Sequence, residues 1–93
     1  MSQRLPARTY TTPEWLHWCL DAQQVNLVDR RLGKPYTLRG LPAAVWSWFS
    51  LGYDRLRVAE LVAVAQAQPQ ADAQQVVRSL VEQWVADGLL IEK

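Results

Sequence analysis

Residues 33–46 constrain the fold of this chain more than any other stretch. The run Gly-Lys-Pro-Tyr-Thr-Leu-Arg-Gly-Leu-Pro-Ala-Ala-Val-Trp changes character in its middle. Tyr36-Thr37-Leu38 fits a short strand, and Arg39-Gly40-Leu41-Pro42 breaks it. Pro42 suits the first turn of a helix, where a missing N–H is tolerated. The predicted helix spans roughly Pro42 to Leu51, stops at Gly52, and points Val45, Trp46 and Phe49 at a core.

Two further strand-like runs lie upstream. Trp15 to Leu20 is rich in aromatic and apolar residues. Asp21-Ala22-Gln23 suits a turn, and Gln24 to Asp29 alternates, with Val25 and Leu27 on one face and Asn26 and Val28 on the other. Arg30 to Pro35, with Gly33 available for positive φ, connects this strand to Tyr36–Leu38 as a hairpin. Downstream, Val58, Leu61, Val62 and Ala65 have helical spacing from about Arg57, and Pro69 closes that segment. Asp72 suits the N-cap of a third helix running from Ala73 to about Ala86, with Gly88 in the position favoured for a left-handed cap. Leu89-Leu90-Ile91 then packs back as a short extended tail.

Three N-terminal strands followed by three helices make an α+β, winged-helix layout. Residues 1–13 have no period and read as a loose, flexible arm, so the domain is expected over 14–93. A chain of 93 residues makes one domain. It buries only ~60–65% of its unfolded surface, which leaves little core to enclose a deep active site. Five Trp is a high number for this length. Some of those rings must be core, and Trp is also a preferred interface anchor.

The third helix has more apolar surface than one-sided packing requires. Val76, Leu80 and Trp84 form one row, and Val77, Val81 and Val85 an adjacent one, at the broad end of an ordinary apolar stripe. Both rows can be core. Alternatively, one packs on the other helices while the second overhangs the sheet and makes a groove. Charge is uneven as well. Residues 1–57 hold eight Lys/Arg against four Asp/Glu, and residues 58–93 hold two against five. Arg30, Arg31, Lys34 and Arg39 cluster with no acid after Asp29, which gives a local field that attracts an acidic partner or a solvated hairpin that resists edge pairing.

Catalytic chemistry is not legible. His17 is the only histidine and Cys19 the only cysteine, too few ligands for a structural zinc site, and no phosphate-cradling glycine motif occurs. The expectation is a protein that is not an enzyme, with no metal or cofactor. One cysteine excludes an internal disulfide, and no apolar run approaches the ~18 residues of a membrane span, so the chain is read as cytoplasmic. DNA binding, the familiar use of a winged helix, fits poorly. The third helix carries Arg78 against Glu82 and Asp87, whereas phosphate contacts supply most DNA affinity.

The run Asn26-Leu27-Val28-Asp29, then Gly33, Tyr36-Thr37-Leu38 and Ala43-Ala44-Val45-Trp46, closing with Leu80, Trp84 and Gly88-Leu89-Leu90, resembles the PqqD-like proteins. These are the small peptide chaperones named from pyrroloquinoline quinone biosynthesis, also termed precursor-peptide recognition elements. Where that family often has Asn after the strand-ending Leu, this chain has Arg39. The resemblance implies binding of the leader segment of a ribosomally made precursor peptide. The leader would be presented to a maturation enzyme such as a radical SAM enzyme, a cyclase or a leader peptidase.

The implied geometry is an added antiparallel strand beside the third strand and under the third helix. It selects Lys34, Pro35, Tyr36, Thr37 and Leu38 with Val77, Arg78, Val81 and Trp84 as peptide-binding residues, and Arg30, Arg31 and Arg39 as electrostatic ones. Val81→Asp is then expected to abolish binding with the fold kept. A leader with Asp or Glu flanking its apolar anchors is expected to be salt-sensitive. A DNA-binding regulator, a scaffolding subunit of an enzyme and a homodimer are the alternatives that the sequence leaves open.

Overall fold

A computed structural model of the chain describes residues 9–92. The element order is β1 (Tyr10–Thr11), β2 (Leu16–Asp21), β3 (Gln24–Asp29), β4 (Lys34–Arg39), α1 (Leu41–Ser50), α2 (Arg55–Gln66), α3 (Gln70–Ala86) and β5 (Ile91–Glu92). Strands β2, β3 and β4 form an antiparallel sheet in that order, and β1 pairs separately with β5. The α+β layout with a three-stranded sheet ahead of three helices is the one expected.

Register follows from the alternation. Leu27 stands opposite Trp18 on one side and Tyr36 on the other, and Val25 opposite Leu20 and Leu38. Side chains directly opposite share a face. One face therefore carries Leu16, Trp18, Val25, Leu27, Tyr36 and Leu38, and against it pack Val45, Trp46 and Phe49 of α1, all buried. The other face carries His17, Cys19, Asn26, Val28, Pro35 and Thr37. Trp46 is the hub of the core. Its ring meets Trp18 edge-to-face at 6.0 Å and Trp84 at 5.2 Å, linking β2, α1 and α3 through perpendicular aromatic pairs.

Three local expectations are corrected. The loose arm was drawn to residue 13. Residues 1–8 lie outside the described residues, but Tyr10 is buried against Phe49 at 5.2 Å and pairs with Glu92. An apolar tail at residues 89–91 needed a partner strand, and Tyr10–Thr11 supplies it. The second helix begins at Arg55 because Asp54 caps it, accepting a hydrogen bond from the Arg57 N–H at 2.8 Å. The third begins at Gln70, after Pro69, so Asp72 sits in the first turn, where its charge favours the helix dipole, and is not the cap. Helix α1 has no side-chain cap at Gly40. Pro42 removes one of the N–H groups that would otherwise lack a partner.

Helix α2 ends in an unfavourable choice of residue. Its C-cap, Ala67, is left-handed at φ 49°, ψ 48°. That conformation costs a Cβ-bearing residue roughly 1–2 kcal/mol relative to its right-handed alternative. Glycine escapes the penalty but loses more freedom on folding. Ala67→Gly is expected to stabilise the domain by about 0.5–1 kcal/mol, raising the melting temperature by ~2–8 °C in a thermal scan. A lowered midpoint would refute this.

Candidate functional site

Strand β4 is an edge strand, paired only with β3 among the described residues. Which of its backbone groups point outward follows from Pro35. The Gly33 N–H, in a residue at φ 65°, donates to the Asp29 carbonyl at 2.7 Å and closes the hairpin at the Asp29–Lys34 pair. Pro35 has no N–H to give, and a sheet accepts proline where its nitrogen faces away from the ladder. The β3 ladder accordingly takes the groups of Lys34, Tyr36 and Leu38. The N–H and C=O of Thr37 and Arg39, and the Pro35 carbonyl, lie on the open edge. The side chains of Tyr36 and Leu38 are half-buried on the helix side of the sheet, and Lys34 Nζ lies 5.1 Å from the Tyr36 ring centroid. Thr37 is exposed on the far face, its hydroxyl donating to Asn26 Oδ1 at 3.3 Å.

The third helix is oriented differently from the expectation. Val77, Val81 and Trp84 are buried, with Ala73 completing the inward row. Ala73, Val77, Val81 and Trp84 follow 4-4-3 spacing, which tracks the 3.6-residue turn and keeps one line facing the core. Val81→Asp therefore cannot be expected to keep the fold. Arg78, Val81 and Val85 border a shallow opening with Tyr10, Arg55 and Glu92, so Arg78 faces the β1–β5 pair and not β4. Tyr10 and Trp18 line one pocket together, which places that pair on the β2 side of the sheet. The opposite flank of α3 borders a second shallow surface with Gln68, Asp72 and Gln75. It carries Val76 and Leu80, both half-buried, then Gln83 and Asp87, which share a hydrogen bond of 3.0 Å. Sequence periodicity had found the spare apolar surface, but it could not tell which flank was spare.

The basic cluster divides. Arg30 and Arg39 are exposed, as is Lys34. Arg31 is committed to the fold. Its Nη2 meets Asp29 Oδ2 at 3.0 Å and its Nε donates to Oδ1 at 3.2 Å, while its own backbone N–H donates to Oδ1 at 2.9 Å. The guanidinium stacks 4.3 Å from the Trp15 ring centroid. Trp15 Nε1 in turn donates to the Gly88 carbonyl at 3.1 Å. Gly88 has φ +77°, and a Cβ there would sit 2.7 Å from Arg31 Nη2. This clamp ties the β3–β4 hairpin to the exit of α3 and so fixes one end of the space between them. The side-chain hydrogen bonds from Arg31 hold the Asp29 carboxyl below its usual range, against the opposing effect of burial, and Asp29 raises the Arg31 guanidinium in return. The clamp was partly legible: Val25, Leu27 and Asp29 alternate onto one face, which would bury an acid and demand a cation.

His17 and Cys19 are exposed on the far face of β2, and among the described residues no group of three His, Cys, Asp or Glu is placed to hold a metal ion. No helix among them is long and apolar enough to cross a membrane.

No family model matches the chain, and neither does any curated protein. Solved structures do. TbiB1, in complex with the TbiA(beta) leader peptide, superposes with a TM-score of 0.79 at 13% identity, over 85% of this chain and 92% of TbiB1. Lasso peptide synthetase B1, complexed with the leader peptide, superposes with a TM-score of 0.80 at 17% identity, over 88% of this chain and 96% of its own. The chain shares its fold with both. That likeness extends over nearly the whole of either chain.

Proposed function

We propose that this chain recognises the leader segment of a ribosomally made precursor peptide by adding it as an antiparallel strand to β4. The observation that carries this reading is the open β4 edge, with its outward Thr37 and Arg39 groups and the half-buried Tyr36 and Leu38 side chains on the helix side of the sheet. Main-chain bonds along such an edge give affinity with little sequence demand, and apolar side chains on every second leader residue give selectivity. The two structures sharing the fold were solved with leader peptides, which supports it.

The binding surface comprises Lys34, Pro35, Tyr36, Thr37 and Leu38 with Val76, Leu80 and Gln83. Val77, Val81 and Trp84 support it from beneath. Exposed Arg30, Lys34 and Arg39 guide an acidic leader into register. Ion pairs at such exposed sites contribute only ~0.2–1 kcal/mol each. The bound leader is handed, in the cytoplasm, to a maturation enzyme such as a radical SAM enzyme, a cyclase or a leader peptidase.

Thr37→Pro tests this directly. It deletes the central outward donor while leaving the β3 ladder its bonds. Titration of a fluorescent extended peptide with apolar residues at every second position and flanking Asp or Glu, followed by anisotropy, should show affinity weakened at least about tenfold, with a near-unchanged far-UV spectrum. Equal affinity of variant and parent would rule out strand addition at β4. No leader binding at all, with the maturation enzyme still bound, would favour a scaffolding role.

A further inference from the structure

The sheet has a second open edge, and the two edges are built differently. On β4, Lys34, Pro35 and Arg39 are residues that discourage uncontrolled pairing. On β2, the sequence Leu-His-Trp-Cys-Leu-Asp holds no Lys, Arg or Pro, and β3 is its only strand partner among the described residues. Leu20 is 57% exposed there, although it stands on the helix side of the sheet opposite Val25. The two-residue turn at Ala22-Gln23 closes β2 and β3 at the Asp21–Gln24 pair. Alternation from that pair leaves the N–H and C=O groups of Trp18 and Leu20 pointing outward, while the Leu16 N–H donates to the Pro13 carbonyl at 3.1 Å.

We infer that β2 pairs antiparallel with β2 of a second copy of this chain, about a two-fold axis at Cys19. This register is self-complementary. His17 falls opposite Asp21 of the second copy, and the same pair recurs on the other side of the axis, so each imidazole N–H meets a carboxylate. Trp18 falls opposite Leu20, again twice, as an aromatic–aliphatic cross-strand pair. Trp18 and Leu20 also carry the outward backbone groups, which gives four hydrogen bonds across the axis.

A pocket of about 120 Å³ opens beside Trp18, lined by Tyr10, Trp46, Phe49 and Leu90 among others. Thr11, Thr12 and Ser50 complete a lining of mixed polarity, and the volume matches one short side chain. Leu20 of the second copy is the residue this register places there. The competing register, centred on Trp18, would face His17 with Cys19 and lose both His–Asp pairs. Pairing through β2 makes one six-stranded sheet and leaves a free β4 at each end, so the dimer presents two peptide-binding edges without using either.

Sedimentation of the full chain under reducing conditions, over a concentration series, is expected to show a species of twice the monomer mass. Leu20→Lys, at an exposed position, should shift it to monomer with the spectrum of a folded chain. Register is read separately. With oxidised glutathione, two facing Cys19 thiols lose two protons and two electrons to form one disulfide, the oxidant leaving as two reduced thiols. A covalent dimer is expected from the parent and not from Leu20→Lys. A monomer at every concentration, or a dimer indifferent to Leu20→Lys, would overturn the inference. So would a Leu20-dependent dimer that fails to cross-link. Leader titrations on the same samples keep the two proposals apart, because Leu20→Lys leaves β4 intact.

Discussion

Val81→Asp is expected to unfold the domain, whereas Leu80→Asp is expected to leave it folded and weaken leader binding. The two residues are neighbours in sequence and differ in where the helix points them. Val81 is only 4% exposed, in a core shared with Val77, Trp84 and Trp46. Arg55 and Arg78 border the shallow opening at its edge, but they are not buried with Val81, so a carboxylate there would lose most of its hydration. Buried unpaired charge belongs among the substitutions costing about 4 kcal/mol or more, a large part of the ~5–15 kcal/mol that holds a domain together. Leu80 is half-buried on the opposite flank, the one proposed to meet the leader. An aspartate there can remain hydrated, so the loss is partial apolar burial, about 1 kcal/mol. Urea titrations followed by far-UV dichroism separate the two, and leader titration is then run on Leu80→Asp alone. A folded Val81→Asp protein that no longer binds leader would restore Val81 to the groove.

The contrast shows what could be read from residues alone. Strand and helix order followed from local signals: the alternation through Val25 and Leu27, the period change between Leu38 and Val45, and Gly88 after an apolar run. These depend on a few neighbouring residues, so the sequence exposes them. The PqqD-like resemblance rested on the same residues, and the layout it implied is the one observed. What was misjudged depended on partners distant in the chain. Tyr10 reads as part of an arm because its partners, Phe49 and Glu92, lie at the middle and the far end of the chain. Arg31 is the exception, since its partner Asp29 is two residues away and is buried by the same alternation that buries Val25 and Leu27. The choice between the two flanks of α3 depends on the rotation of the helix over the sheet. Tyr10 sets that rotation from one side and the Trp15–Gly88 hydrogen bond from the helix exit. Periodicity reports that an apolar row exists but not which neighbour it meets.

The clamp at Asp29 gives the second large effect, and it depends on pH. Asp29 is fully buried, yet its carboxyl is held below the ordinary value of 3.8, with the Arg31 side-chain bonds as the main cause. A carboxylate whose folded pKa is depressed binds fewer protons in the folded state than in the unfolded one. Its contribution to stability is therefore complete above the unfolded value and is lost as the pH falls through the lowered folded value. The parent domain is expected to lose stability steeply from about pH 4 downward, where unfolded carboxylates begin to take up protons. Asp29→Asn keeps the shape and removes the charge. It should be markedly less stable at neutral pH, with a flatter dependence below pH 5, and the two stability curves should draw together in acid. Arg31→Met should raise the Asp29 carboxyl toward the ordinary value, read by NMR titration of its side-chain carbon. Because Arg31 also stacks on Trp15, which bonds the Gly88 carbonyl, both variants should loosen the hairpin from the exit of α3. Amide exchange at Gly33 and Leu89 should then accelerate together. Parallel stability curves for parent and Asp29→Asn from pH 7 to pH 3 would mean that the Asp29 carboxyl binds protons alike in the folded and unfolded states, and would overturn the pH-linked role of the clamp.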